Sequence, residues 1–134
     1  HRYLHSFPTR RSSDLFNKLH IITNGLNILL ALSRISGLSV ESSGGSLQYG
    51  FDSLIGPRAE TFISSIYASK LFFSCAAYRE GTGTFELSPF SASIKRRMLL
   101  SSNRRILLVD QSKFNAVAPF KMAGIDEIDD IVTA

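Results

Sequence analysis

Four consecutive apolar residues, Ile106-Leu107-Leu108-Val109, run directly into Asp110-Gln111-Ser112-Lys113-Phe114. An apolar run of strand length with no polar side to turn to water needs cover on both faces. That is the position of a strand inside a parallel sheet with helices above and below. The run ends on a carboxylate, an amide, a hydroxyl and an ammonium in succession. Ligands of open α/β sheets gather beyond the carboxyl ends of the strands, so this segment marks a candidate binding edge.

The pattern recurs. Leu19 to Ile22 reads as a strand ending at Thr23-Asn24, followed by a helix from Gly25 to Ile35 whose Leu26, Leu29, Leu30 and Leu32 form a broad apolar face. Thr23 or Asn24 is placed to cap that helix. Leu38 to Glu41 predicts a strand running into Ser42-Ser43-Gly44-Gly45, and residues 47–54 one or two short strands around Gly50. Pro57 opens a helix that buries Ala59, Phe62, Ile63 and Ile66. Lys70 to Ser74 is the next strand, ending at Cys75-Ala76-Ala77, and residues 78–88 read as a loop.

Ser88-Pro89 starts a helix to Ser102 with Ile94, Met98 and Leu99 inward, and Arg105 to Val109 is the strand already described. Residues 114–122 read as irregular or weakly extended, 124–129 as a short helical turn, and 131–133 as a last strand. Strands alternating with helices predict an α/β fold, a largely parallel sheet flanked by helices. Parallel strands would bring Thr23-Asn24, Gly44-Gly45, Cys75-Ala76-Ala77 and Asp110 to Lys113 to one sheet edge. Those groups suit a phosphorylated or polyhydroxylated small molecule, and helix amides after Asn24 would favour an anion.

Residues 1–15 differ in character from the rest. Ser6-Phe7-Pro8-Thr9-Arg10-Arg11-Ser12-Ser13-Asp14-Leu15 looks like a translated sequencing adapter, so this segment is set aside as non-native and the fold is read from residues 16–134. The whole chain carries +4, but removing Arg2, Arg10, Arg11 and Asp14 leaves 12 basic and 10 acidic residues, a surplus too mild to point to nucleic acid. Lys95, Arg96 and Arg97 with Arg104 and Arg105 read as a solvated face, since no aromatic residues interleave with them. One cysteine, Cys75, leaves no intramolecular disulfide and fits a reducing cytoplasm. Cys75 has no base nearby in sequence to make it a nucleophile. His20 reads as a strand residue, and neither metal nor cofactor is expected. No apolar run approaches the roughly 18 residues of a membrane span.

Ile21-Ile22-Thr23-Asn24, Gly44-Gly45, Ile55-Gly56-Pro57-Arg58-Ala59, Phe72-Phe73-Ser74-Cys75, Ile94-Lys95-Arg96 and Leu108-Val109-Asp110-Gln111-Ser112-Lys113-Phe114 follow in this order. Their spacing resembles the C-terminal effector domain of DeoR-family (GlpR-like) transcriptional repressors over nearly all of residues 17–134. The Asp-x-Ser-Lys-Phe end is the most specific part. The resemblance implies a ribose-5-phosphate isomerase-like fold, incomplete at its N-terminus, and a sugar phosphate or related metabolite as ligand. It implies that Thr23 and Asn24 contact the effector, that Gly44 and Gly45 shape the pocket floor, and that Lys95 and Lys113 offer positive charge to its oxygens. Asp110 would act as a turn-former.

Two departures stand out. The acidic residues that the family carries just before its Lys-Arg pair are replaced by Ser88-Pro89-Phe90-Ser91-Ala92-Ser93, and the turn after the Ser-Cys strand reads Ala76-Ala77-Tyr78. A pocket lacking those carboxylates should select a different metabolite or bind weakly. The family's upstream phosphate loop and winged helix-turn-helix are not in the chain, as a gene cut short at its start would explain. The implied parent is a cytoplasmic homo-oligomer that touches DNA only through the missing domain and is not an enzyme. The competing expectation is a sugar-phosphate isomerase or deaminase of the same fold, which needs a carboxylate base at the substrate carbon.

Overall fold

The computed structural model describes residues 19–134 and the backbone of residues 3–6. The first part of the chain forms β1 (Tyr3–Ser6), β2 (Leu19–Thr23), α1 (Leu26–Leu32), β3 (Leu38–Ser42), β4 (Ser46–Gln48), β5 (Ser53–Ile55) and α2 (Pro57–Ser64). There follow β6 (Ala68–Phe73), β7 (Ala77–Arg79), β8 (Gly83–Glu86), α3 (Pro89–Leu100), β9 (Ser102–Val109), β10 (Phe120–Gly124) and β11 (Asp130–Thr133). Single 3-10 turns at Gln111–Lys113 and Ile125–Glu127 complete the described elements. β1 falls inside the segment set aside above; the rest of residues 1–15 lies outside the described residues.

A six-stranded sheet in the order β11-β9-β6-β1-β2-β3 forms the centre. β2 pairs with β3, β6 with β9 and β9 with β11 in parallel, at registers including Ile21↔Val40, Phe72↔Ile106 and Leu108↔Val132. β1 is antiparallel to both β2 and β6, so those two run the same way. Five strands are therefore co-directional. The chain steps outward from β2 to β3 on one side and from β6 through β9 to β11 on the other. The reversal of direction, where open α/β sheets form their crevice, lies between β2 and β6.

α2 and α3 share one face of this sheet. Ala59 and Ile63 of α2 and Ile94, Met98 and Leu99 of α3 pack on Ile22, Leu71, Phe73, Leu107 and Val109 in one buried cluster. Each of these side chains larger than alanine, once buried, contributes roughly 1.5–3 kcal/mol. β2 and β3 are parallel neighbours joined through α1, and the right-handed rule for such units assigns α1 to the opposite face. α1 is shorter than the pattern predicts, and none of its residues is buried.

The segment 78–88, expected to be a loop, instead supplies β7 and β8, which join β10 in a second sheet ordered β10-β8-β7. The physical reason is an inverted pattern. Thr84 and Glu86 face inward and are buried, while Phe85 is only half-covered beneath the Arg79 guanidinium. An alternation whose inner side is polar carries no hydrophobic signal. Gly83 sits at φ +137° against the backbone carbonyl of Ala123, where any Cβ would collide.

Candidate functional site

A cavity of about 660 Å³ opens at the carboxyl edge of the co-directional strands. Ser74, Cys75 and Ala76 beyond β6, Val109 and Asp110 of the β9 tip, and Thr133 and Ala134 at the β11 tip form one part of its lining. Gly25, Asn27 and Ile28 at the start of α1 and the Gly50–Asp52 turn between β4 and β5 form another, and Glu86 and Lys113 line it together with Leu87, Leu108 and Val132. Arranging these tips together follows from strand direction alone.

Lys113 reaches the cavity because of a local turn. Asp110 Oδ1 accepts from the Ser112 backbone N–H at 2.9 Å and from the Ser112 hydroxyl, and the Lys113 N–H donates to the Asp110 carbonyl at 3.1 Å. The side chain thus folds the chain into one 3-10 turn, the role the sequence predicts for an Asx turn. The two Ser112 bonds, with Lys113 adding to them, hold the Asp110 carboxyl below its ordinary range.

Thr23 and Asn24 are buried and bind the protein itself. Thr23 Oγ1 accepts from the Gly25 N–H at 3.1 Å, and Asn24 Nδ2 donates to the Leu54 carbonyl at 2.9 Å. The Asn24 carbonyl accepts from the Leu54 N–H at 2.8 Å. Together these bonds tie the β2 tip to β5 and set Gly25 at the cavity wall. Neither side chain caps α1, whose Leu26 N–H donates instead to the Asp52 carbonyl at 2.9 Å. Gly44 and Gly45 both have positive φ; a Cβ on Gly45 would come within 2.5 Å of the Ile55 carbonyl and 2.9 Å of the Ala59 Cβ. Gly45 therefore lets the end of β3 close against β5 and α2.

Lys95 is only 2% exposed. Its Nζ donates to the Ser74 carbonyl at 2.6 Å and to Glu86 Oε2 at 2.9 Å. Burial pushes the Lys95 ammonium down and the Glu86 carboxyl up, and each is pulled back by the charge and hydrogen bond of the other. Cys75 lies among these groups. Burial, more than the neighbouring charges, pushes its thiol up to about 11, so it stays protonated at neutral pH and is a poor nucleophile.

Of the six residues expected at the effector, Lys113 lines the cavity directly. Thr23 and Asn24 frame it through Gly25, Lys95 stands behind Glu86, and Gly44 and Gly45 shape the end of β3 away from the lining. Glu86 is the residue that sequence reasoning missed. The run 88–93 does lack carboxylates, yet Glu86 brings one to the cavity from the preceding strand. Its available signal was a lone carboxylate nine positions before Lys95, close enough to pair with it once β8 lies against α3.

The basic residues of α3 and β9 are mostly neutralised within the fold. Arg96 makes a two-pronged pair with Glu127 at 2.7 and 2.9 Å, and Arg104 Nη2 lies 2.7 Å from Asp130 Oδ2. His20, within β2, has its Nε2 3.5 Å from Glu41 Oε1. Among the described residues no helix is long and apolar enough to cross a membrane.

A sequence model of the DeoR C-terminal sensor domain matches residues 12–134. The chain is 36% identical over 116 residues to the transcriptional repressor AccR of Agrobacterium fabrum, covering 86% of this chain and 45% of that protein. It is 29% identical over 116 residues to the HTH-type transcriptional regulator YulB of Bacillus subtilis, covering 87% of this chain and 45% of that protein. The L-fucose operon activator of Haemophilus influenzae is 27% identical over 111 residues, covering 83% of this chain and 45% of that protein. The chain thus spans about half the length of the curated relatives it matches, and those relatives are named as transcriptional regulators. With a family match that spans nearly the whole chain, this chain belongs to the DeoR C-terminal sensor domain family.

Proposed function

We propose that this domain binds a phosphorylated sugar or related metabolite in the cavity at its strand tips, and that binding modulates the DNA affinity of a regulator containing it. The observation that carries the reading is the convergence of co-directional strand tips on one cavity that also holds the Lys113 ammonium. A lysine there is a point charge for phosphate. In the intact regulator, working in the bacterial cytoplasm, the metabolite would bias two states that differ in DNA affinity. Sensing fits the site better than catalysis: burial keeps the Cys75 thiol protonated and a poor nucleophile.

Thermal denaturation of the full 134-residue chain against inorganic phosphate, glycerol 3-phosphate, fructose 6-phosphate and glucose 6-phosphate tests this. A ligand present at 100 times its Kd stabilises by about 2.7 kcal/mol, which raises Tm by several degrees. Lys113→Met should abolish most of that rise while leaving the unliganded Tm within about 1–2 °C, as a half-exposed rim residue allows. No shift with any of the four compounds would sink the reading.

A further inference from the structure

Glu86 is 1% exposed and still forms part of the cavity wall. A buried carboxylate is costly unless it is paired and hydrogen-bonded, and an apolar pair of similar volume commonly serves packing as well or better. Packing alone therefore does not call for Glu86 and Lys95 at this place. The Lys95 ammonium is fixed between the Ser74 carbonyl at the β6 tip and Glu86 Oε2, so it is committed to the protein rather than to a ligand. Its position makes it an anchor that holds the Glu86 carboxylate at the cavity wall. Asp110 and Lys113 stand at the β9 end of the same cavity.

An oriented carboxylate accepts hydrogen bonds from hydroxyl groups and repels bare anionic ones. Resting on the sensor reading above, we propose that Glu86, positioned by Lys95, is the specificity-determining acceptor of this cavity. It selects phosphates with a hydroxylated body over plain alkyl phosphates, while Lys113 takes the phosphate. A charge-assisted hydrogen bond to one ligand hydroxyl, missing in the alkyl analogue, discriminates by about tenfold or more.

The test is calorimetric titration of the full chain with glucose 6-phosphate, n-butyl phosphate and inorganic phosphate. The wild type should favour the sugar phosphate over butyl phosphate by about tenfold or more. In Glu86→Leu/Lys95→Met, which removes both charges and keeps the volume, that preference should fall to within about twofold while butyl phosphate binds as before. Glu86→Gln, which leaves Lys95 an acceptor, carries the same test should the double variant fail to fold. Retention of the tenfold preference in either variant, or equal binding of sugar and alkyl phosphates by the wild type, overturns the proposal and leaves the sensor reading standing. Failure of the wild type to bind any of the three compounds overturns both.

Discussion

The two sides of the central sheet are built from similar units and are held in different ways. On one side β2, α1 and β3 form a crossover in which α1, Leu-Asn-Ile-Leu-Leu-Ala-Leu, is almost wholly apolar yet buries no residue. Leu30 is 62% exposed, and no side chain caps the helix. On the other side α3 carries three cationic residues and four serines counting its cap and the residue that ends it, yet it buries Ser91, Ile94, Lys95, Met98 and Leu99. α3 lies between the central sheet, α2 and the second sheet, whereas the described packing of α1 is against β3. Burial here follows how many partners a helix meets, not how apolar it is.

Truncating one apolar side chain on each helix should break the symmetry that composition suggests. Met98, fully buried, should cost about 2–5 kcal/mol when replaced by Ala, whereas Leu30→Ala should stay within about 0.5 kcal/mol. Urea unfolding of the two variants measures both. Equal losses would mean that α1 is covered as deeply as α3.

Ion pairs sharpen the contrast. Arg96 on α3 reaches Glu127 with two bonds and also donates to the Met122 carbonyl at 3.0 Å, lacing the helix to the segment after β10. The Arg96 hydrogen bonds, ahead of any other cause, hold the Glu127 carboxyl down from 4.5 to about 2. A carboxyl with a depressed folded pKa stabilises above its unfolded value and loses that contribution as pH falls through the folded one. The stability should thus be fully present above about pH 5 and decline from there towards pH 2. Because Arg96 is 39% exposed, screening leaves about 1–2 kcal/mol of it. Glu127→Gln should remove that amount at pH 7 and flatten the acid limb of a stability-against-pH curve. Its counterpart across the sheet, His20 with Glu41, is exposed on both partners, and Glu41→Gln should change nothing measurable at pH 7. Curves for Glu127→Gln and wild type that run parallel from pH 5 to 2 would contradict the account.

The same contrast explains what could be read without coordinates. Ile106 to Val109 was legible as a strand because its apolar run is unbroken, although only Leu107 and Val109 are buried and Ile106 and Leu108 on the other face are half-covered; the Asp110 turn was legible because its chemistry is local. The strand's earlier start at Ser102 was hidden, since Arg104 and Arg105 look like a solvated basic run until Asp130 and Asp129 arrive 24 to 26 residues later. β8 was hidden because its inner side is Thr84 and Glu86 rather than an apolar pair. At the site, the direction of the strands leads Lys113 to the sheet edge where the cavity lies, but which polar residues line that cavity and which bond to the protein was not local information. Thr23, Asn24 and Lys95 have the chemistry of a binding residue; only the partners Gly25, Leu54 and Glu86 show that each is already engaged.

Two buried serines give the finest form of the comparison. Ser88, 6% exposed, caps α3: its Oγ accepts from the Phe90 N–H at 3.1 Å, the Ser91 N–H at 3.4 Å and Gln48 Nε2 at 2.6 Å. Ser53, 1% exposed and bridged to Gly25 on the α1 side, has a hydroxyl with no hydrogen-bond partner among the described residues. Ser88→Ala leaves two helix amides and an amide side chain unmet and should cost about 1 kcal/mol. Ser53→Ala removes a buried polar group that no described residue satisfies, so it should be neutral or stabilise by up to about 1 kcal/mol. Chemical denaturation resolves the difference because the two effects have opposite signs. A loss at Ser53 equal to that at Ser88 would show that the Ser53 hydroxyl is satisfied after all, and the β4–β5 side of the cavity would then be held by a polar contact as firmly as the α3 side.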